Sequence, residues 1–137
     1  MGRVKRLIIE GYRSIDSAIE IEFPEKVPLV LIGENNAGKS NIVRALDLLL
    51  GEQWPGSYEP EDHDFFGRVR DQRSIKITAE LESATIAGQF GSRTIERIWW
   101  QYKPGEGASL KIKFKDASEP VNANNAARGQ CVCIYVG

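Results

Sequence analysis

The chain has 137 residues, 42% of them hydrophobic, which suits one domain or one lobe of a larger one with a core of its own. Lys and Arg total 18 against 19 Asp and Glu, a net charge of −1, so bulk electrostatics makes no case for nucleic acid or an anionic membrane and any DNA contact must be local. Two cysteines, Cys131 and Cys133, are too few and too close for a disulfide framework or a four-ligand zinc site.

Residues Val4 to Ile9 form the first predicted strand, and Leu7-Ile8-Ile9 is too short an apolar run for a signal peptide or a spanning helix, so a cytoplasmic protein with no membrane contact is expected. A polar bend, Gly11-Tyr12-Arg13-Ser14, follows. Ile19-Glu20-Ile21-Glu22-Phe23 then alternates as a half-buried antiparallel strand should. Pro24 and Pro28 bracket a turn into Leu29-Val30-Leu31-Ile32, an apolar run that reads as a buried strand.

The next eight residues, Gly33-Glu34-Asn35-Asn36-Ala37-Gly38-Lys39-Ser40, fit G-x-x-x-x-G-K-[ST] at every required position. Strand, glycine loop and helix occur in the order this phosphate loop (Walker A) requires. Successive backbone N–H groups of such a loop point inward, and the N-terminus of the following helix, where Asn41 stands, adds unpaired donors and partial positive charge. Gly33 and Gly38 permit close backbone approach, Lys39 reaches the β- and γ-phosphates as a mobile charge, and Ser40 supplies a hydroxyl for Mg²⁺. Asn36 tolerates positive φ, so its place in the loop is mild. ATP with Mg²⁺ is the expected ligand.

In the predicted helix Ile42, Ala45, Leu46 and Leu49 share one face while Asn41, Arg44 and Asp47 share another, with Gly51 as a stop. From Glu52 to Gly67 the composition turns to a long loop carrying Trp54, Tyr58, Phe65 and Phe66, which should fold back onto the domain or a partner. Within it, Glu61-Asp62-His63-Asp64 is an acidic cluster. Asp64 is a candidate for positioning water or Mg²⁺ near the γ-phosphate; a solvated loop is the alternative for the cluster.

Three alternating segments follow, Ile75 to Leu81, Ile95 to Tyr102 and Leu110 to Phe114, and they predict an antiparallel meander. Ser83 to Ser92 joins the first two, and Lys103-Pro104-Gly105-Glu106-Gly107 turns between the last two. Trp99 and Trp100 point to opposite faces, one to the core and one to an interface. Lys111, Lys113 and Lys115 fall on one side and are candidates for a DNA backbone, a solvated outer face being the alternative. Asp116 to Gly129 reads as loop with one helical turn, and Cys131 to Val136 as a buried strand. The expected class is α/β: a lobe with a parallel core strand from the phosphate loop plus an antiparallel β meander. A chain ending just after an apolar strand is expected to be part of a larger domain.

The bend Gly11-Tyr12-Arg13-Ser14, the IEIEF segment, LVLIGENNAGKSNIVRALDLLLG and the stretch Glu61 to Phe66 together resemble the ATPase head of the SMC-like and ABC-like repair ATPases, most closely the OLD (overcoming lysogenization defect) family of ATP-dependent endonucleases. The resemblance spans nearly the whole chain. It implies an N-terminal P-loop NTPase lobe of the SMC/ABC type over 1–137, heads that form a homodimer with nucleotide between protomers, and a metal-dependent nuclease domain acting on DNA beyond this sequence. It also implies that Arg13 contacts phosphate; an ordinary surface arginine is the alternative. No LSGGQ-like signature, no apolar strand ending in Asp-Glu or Asp-Asp and no Toprim carboxylates are present, so this chain is expected to bind ATP without efficient turnover. A P-loop GTPase is the rival enzyme: Asp64-Phe65-Phe66-Gly67 matches D-x-x-G, but no N-K-x-D is available to read guanine. A non-enzymatic, nucleotide-gated interaction module is the rival of another class.

Overall fold

A computed structural model describes residues 2–12, 19–22, 42, 44, 45, 47–49, 60, 64, 74–82, 84–88, 91–123 and 131–132. Eight strands are found among them: β1 (Gly2–Glu10), β2 (Ile19–Glu22), β3 (Ile75–Glu82), β4 (Thr85–Gly88), β5 (Gly91–Lys103), β6 (Gly107–Phe114), β7 (Val121–Asn122) and β8 (Cys131–Val132). They form one sheet in the order β2-β1-β3-β5-β6-β7, with β4 on β5 and β8 on β1.

The register explains the sequence alternation. One face carries the row Leu7, Ala79, Ile98, Ile112 and the row Ile9, Ile77, Trp100, Leu110, each residue directly across from the next. All eight are buried. The period-2 pattern therefore delivers a continuous apolar face, the form in which an antiparallel sheet buries one side and leaves the other to solvent. Ala45 and Leu49, from the helical residues after the phosphate loop, pack into this same core, with Ile42 and Leu48 against it. Arg44 and Asp47 are exposed, so the described helical residues divide by face as their spacing predicts.

The meander of three alternating segments is present as β3, β5 and β6, and Trp99 and Trp100 do point to opposite faces: Trp100 is fully buried in the core cluster, while Trp99 lies outside that cluster. The predicted turn after Lys103 closes with the Glu106 N–H donating to the Lys103 carbonyl at 3.0 Å. Three details differ from expectation. The connection Ser83 to Ser92 is not plain loop, because Thr85–Gly88 pairs with Gly91–Thr94 as a hairpin. The segment Ile19–Glu22 is covered less than expected: Ile21 packs against the core, but β2 ends the sheet among the described strands, Ile19 is 36% exposed and Glu20 and Glu22 are exposed. The polar tract after Asp116 contributes the short strand β7 rather than a helical turn among its described residues.

The sheet is antiparallel at every described pairing but one, the parallel contact of β1 with β8 through Gly2↔Cys131 and Arg3↔Val132. The expected parallel strand Leu29 to Ile32 lies outside the described residues. Among those residues no helix is long and apolar enough to cross a membrane.

Candidate functional site

Gly33, Glu34, Asn35, Asn36, Ala37, Gly38, Lys39, Ser40 and Asn41 lie outside the described residues, as do Arg13, Asp62 and His63. What is described is the frame on both sides of them. Ile42, two positions after Ser40, begins the helical residues whose Ala45 and Leu49 are buried against the inner face of the sheet. The loop is thus joined directly to an element anchored in the core, as a phosphate cradle needs if its amides are to hold fixed positions.

The bend before Arg13 is fixed by its own packing. Gly11 is buried at φ +73°, and a Cβ added there would lie 2.3 Å from the backbone carbonyl oxygen of Ser74. Only glycine satisfies both the angle and the space. Tyr12, 3% exposed, belongs to the core cluster. The chain therefore leaves β1 from a rigid point one residue before Arg13.

Asp64 is fully buried, a setting the sequence did not anticipate for a residue of an acidic, polar loop. A carboxylate removed from water requires hydrogen-bonding or charged company, so Asp64 is part of the packed structure and not of a solvated surface. Among the described residues no group of three or more His, Cys, Asp and Glu is placed to hold a metal ion. The donor chemistry that suits Mg²⁺ and a polyphosphate remains that of the loop, where Lys39, the Ser40 hydroxyl and backbone amides follow one another.

The outer face of the sheet holds the other charged groups. Across from the core rows runs Ile8, Thr78, Trp99 and Lys111. Lys76 Nζ stands 5.4 Å from the Trp99 ring centre and the Arg97 guanidinium 5.6 Å, so two cations clasp one indole. Sequence spacing put Arg97 and Trp99 on one face; bringing Lys76 to them needed the register Thr78↔Trp99, which spacing does not contain. Lys113, one of the lysines singled out for DNA, donates to Glu96 and to the Phe114 carbonyl (3.4 Å). That hydrogen bond holds the Glu96 carboxyl below its ordinary value of 4.5, against the opposing effect of burial, with the charges of Lys113, Arg97 and Lys115 adding to the lowering. Lys113 is therefore committed within the sheet. Lys111 is half-buried and Lys115 exposed.

Comparison with known proteins gives matches over most of the chain. The AAA ATPase domain family matches residues 3–134. The chain is 31% identical over 119 residues to the OLD nuclease of Thermus scotoductus, an alignment covering 87% of this chain and 21% of that protein. It is 41% identical over 51 residues to the chromosome partition protein Smc of Halobacteriovorax marinus (37% of this chain, 4% of that protein). A second such protein, Smc of Koribacter versatilis, is 38% identical over 53 residues (39% of this chain, 4% of that protein). The chain spans about a fifth of the length of the OLD nuclease it matches.

Proposed function

Because the chain belongs to the AAA ATPase domain family, we propose that it is the ATP- and Mg²⁺-binding lobe of an ATP-dependent DNA endonuclease or DNA-repair ATPase. The likeness to OLD-type and SMC-like ATPases, read from the bend, the loop and the flanking strands, is borne out by the matches to an OLD nuclease and to Smc proteins. The observation that carries the reading is the intact Gly33 to Ser40 motif inside a domain match of that family.

In this reading the amides of Gly33 through Lys39 wrap the phosphates, and Lys39 neutralises charge that grows on the β–γ bridge and γ-oxygens in the transition state. The Ser40 hydroxyl would hold Mg²⁺, and the helix start at Asn41 would offer its N-terminal amides to the anion. Mg²⁺ held there would supply positive charge to offset that of the phosphates. Arg13 reaches phosphate from the bend fixed by Gly11 and Tyr12, with a guanidinium that stays charged at any working pH. Asp64, buried in the fold, would order water around Mg²⁺. The strand Leu29 to Ile32 supplies the parallel core beside the antiparallel sheet, giving the α/β lobe of an SMC/ABC head.

Turnover calls for groups this sequence lacks, supplied by further chain and by a second head in a homodimer with ATP between the two. DNA is the substrate of the assembled protein. Titration of this chain with ATP, with and without Mg²⁺, tests the site. Lys39→Ala should nearly abolish binding, and Ser40→Ala should chiefly remove the Mg²⁺ dependence. Unchanged ATP affinity in Lys39→Ala would overturn the assignment, and sustained hydrolysis by this chain alone would overturn the claim that its catalytic groups are incomplete.

A further inference from the structure

We propose that the outer face of β2-β1-β3-β5 is a self-complementary surface on which a second copy of this chain stacks face to face, about a two-fold axis running along the strands between β1 and β3. The register carries the inference. One level of the sheet reads Glu22, Arg6, Glu80, Arg97 from β2 to β5, each directly opposite the next. Another level pairs Glu10 on β1 with Lys76 on β3. Signs alternate at both levels. A two-fold axis between β1 and β3 exchanges β1 with β3 and β2 with β5, so it sets Glu10 against Lys76 of the second copy, Glu22 against Arg97 and Arg6 against Glu80. Each of these six charges meets its opposite, while at the level between them Ile8 meets Thr78 and Glu20 meets Trp99.

Alternating charge across strands also stabilises a sheet internally, and around Arg6 it does: this arginine lies 3.1 Å from Glu22, 3.8 Å from Glu80 and 3.9 Å from Glu20. The remaining pairs are not used that way. Glu10 and Lys76 are cross-strand neighbours, as are Glu80 and Arg97, yet among the described residues neither pair comes within ion-pair distance, because Lys76 and Arg97 turn onto the Trp99 ring. Glu10, Lys76 and Arg97 are exposed, and among the described residues none of them is held in an ion pair, Arg97 acting on Glu96 only through its charge. Held against the indole, the two cations have lost side-chain freedom before any partner arrives, which lowers the entropic cost of engaging one.

A polyanion is the less suitable occupant. Glu10, Glu20 and Glu22 flank the cations on the β1 and β2 side, so an extended phosphate backbone crossing the face would run against carboxylates. The two-fold partner matches both signs and is the isologous solution. Four strands about 4.8 Å apart and three alternating outward levels give a patch of roughly 400 Å² per copy, at the low end for a specific contact, so the association should be weak and salt-sensitive.

Sedimentation velocity on the full chain without nucleotide tests this, using the unsubstituted protein, Lys76→Glu/Arg97→Glu and Glu10→Lys/Glu22→Lys. The unsubstituted chain should show a concentration-dependent dimer at about 0.05 M salt that dissociates at about 0.5 M. Each double variant should self-associate at least about tenfold more weakly, since each then opposes like charges. Mixed together, the two should form a heterodimer at least as tight as the original dimer, because every exchanged contact becomes attractive again. All four positions are exposed, and thermal unfolding verifies that the variants fold; the salt series needs no variant. Persistence of the dimer in Lys39→Ala separates this surface from pairing through bound ATP. The proposal is overturned by a chain that stays monomeric at every concentration, by variants that dimerise as well as the original, or by a mixture no tighter than its components. A monomer that is retained on single-stranded oligonucleotide and loses that retention in Lys76→Glu/Arg97→Glu would overturn it in favour of nucleic acid.

Discussion

Gly11 and Ser74 are packed so closely that a Cβ on Gly11 would lie 2.3 Å from the Ser74 carbonyl oxygen, and the obstructing atom is backbone, which cannot swing aside. Gly105 has a similar angle, φ +82° against +73°, but a Cβ there meets nothing within 4 Å. The two glycines separate the effects of angle and of space. Gly105→Ala should lower stability by about 1 kcal/mol, the penalty for a positive φ. Gly11→Ala should lose clearly more, about 3 kcal/mol or above, because β1 and the start of β3 must part. Urea unfolding of both variants gives the comparison, and equal losses would remove the steric account of the bend.

The two adjacent tryptophans make a second contrast. Trp100 is fully buried, with Ile77 and Leu110 directly across from it on the neighbouring strands. Trp99 is 7% exposed on the other face, under Lys76 and Arg97. Trp100→Ala opens a large cavity in the middle of the core and should cost about 3–5 kcal/mol. Trp99→Ala leaves space that water and two long side chains can fill, and should cost about 1–2 kcal/mol from lost contact and cation–π attraction. Chemical denaturation that ranked the two in the opposite order would mean that the outer face, not the inner, holds the main core.

The acid limb of stability should report Glu96 and Asp116. Hydrogen bonding from Lys113 lowers the Glu96 carboxyl below 4.5, and from Arg93 lowers the Asp116 carboxyl below 3.8, burial opposing in both cases. The Arg93 contact is 3.1 Å. A carboxyl depressed by folding binds fewer protons in the native state than in the unfolded chain, so its contribution is complete above the ordinary value and declines as pH falls through the lowered one. Glu96→Gln should therefore be less stable than the parent at neutral pH, with the gap closing below pH 4.5. The effect should be small because the pair is solvent-accessible. A gap that widened on acidification would reverse the sign assigned to Glu96.

Alternation made the meander legible, since Ile75 to Leu81, Ile95 to Tyr102 and Leu110 to Phe114 each offer one apolar face, and an antiparallel sheet with a single core needs just that. The Gly33 to Ser40 motif stands out in the sequence because phosphate binding calls for residue types at fixed spacing, and its residues lie outside the described ones. The hairpin of β4 was not: Thr85–Gly88 is short, ends in glycine and looks like a connection until β5 is seen to extend back to Gly91. Nor was the exposure of Ile19, since alternation shows that a strand has two faces but not whether it lies at the sheet's end. The clasp on Trp99 depends on cross-strand register, and the bulges near Arg6 in β1 and Arg97 in β5 shift register in ways that no local pattern encodes.

In sequence Asp64 belongs to a polar, acidic stretch, and its complete burial changes what its substitution should do. If it served packing alone, Asp64→Asn, which keeps the shape and an acceptor oxygen while removing the charge, would alter stability and leave nucleotide affinity unchanged with or without Mg²⁺. If it orients the metal's water shell, as proposed, the loss should appear only in the presence of the metal, at the tenfold to hundredfold scale usual for outer-shell partners of a metal site. ATP titration of Asp64→Asn in Mg²⁺ and again in excess chelator separates these. The expected result is about tenfold weaker binding with Mg²⁺ and parental affinity in chelator. Equal affinity in both conditions would assign Asp64 to the fold, and equal weakening in both would place its effect on the loop itself rather than on the metal.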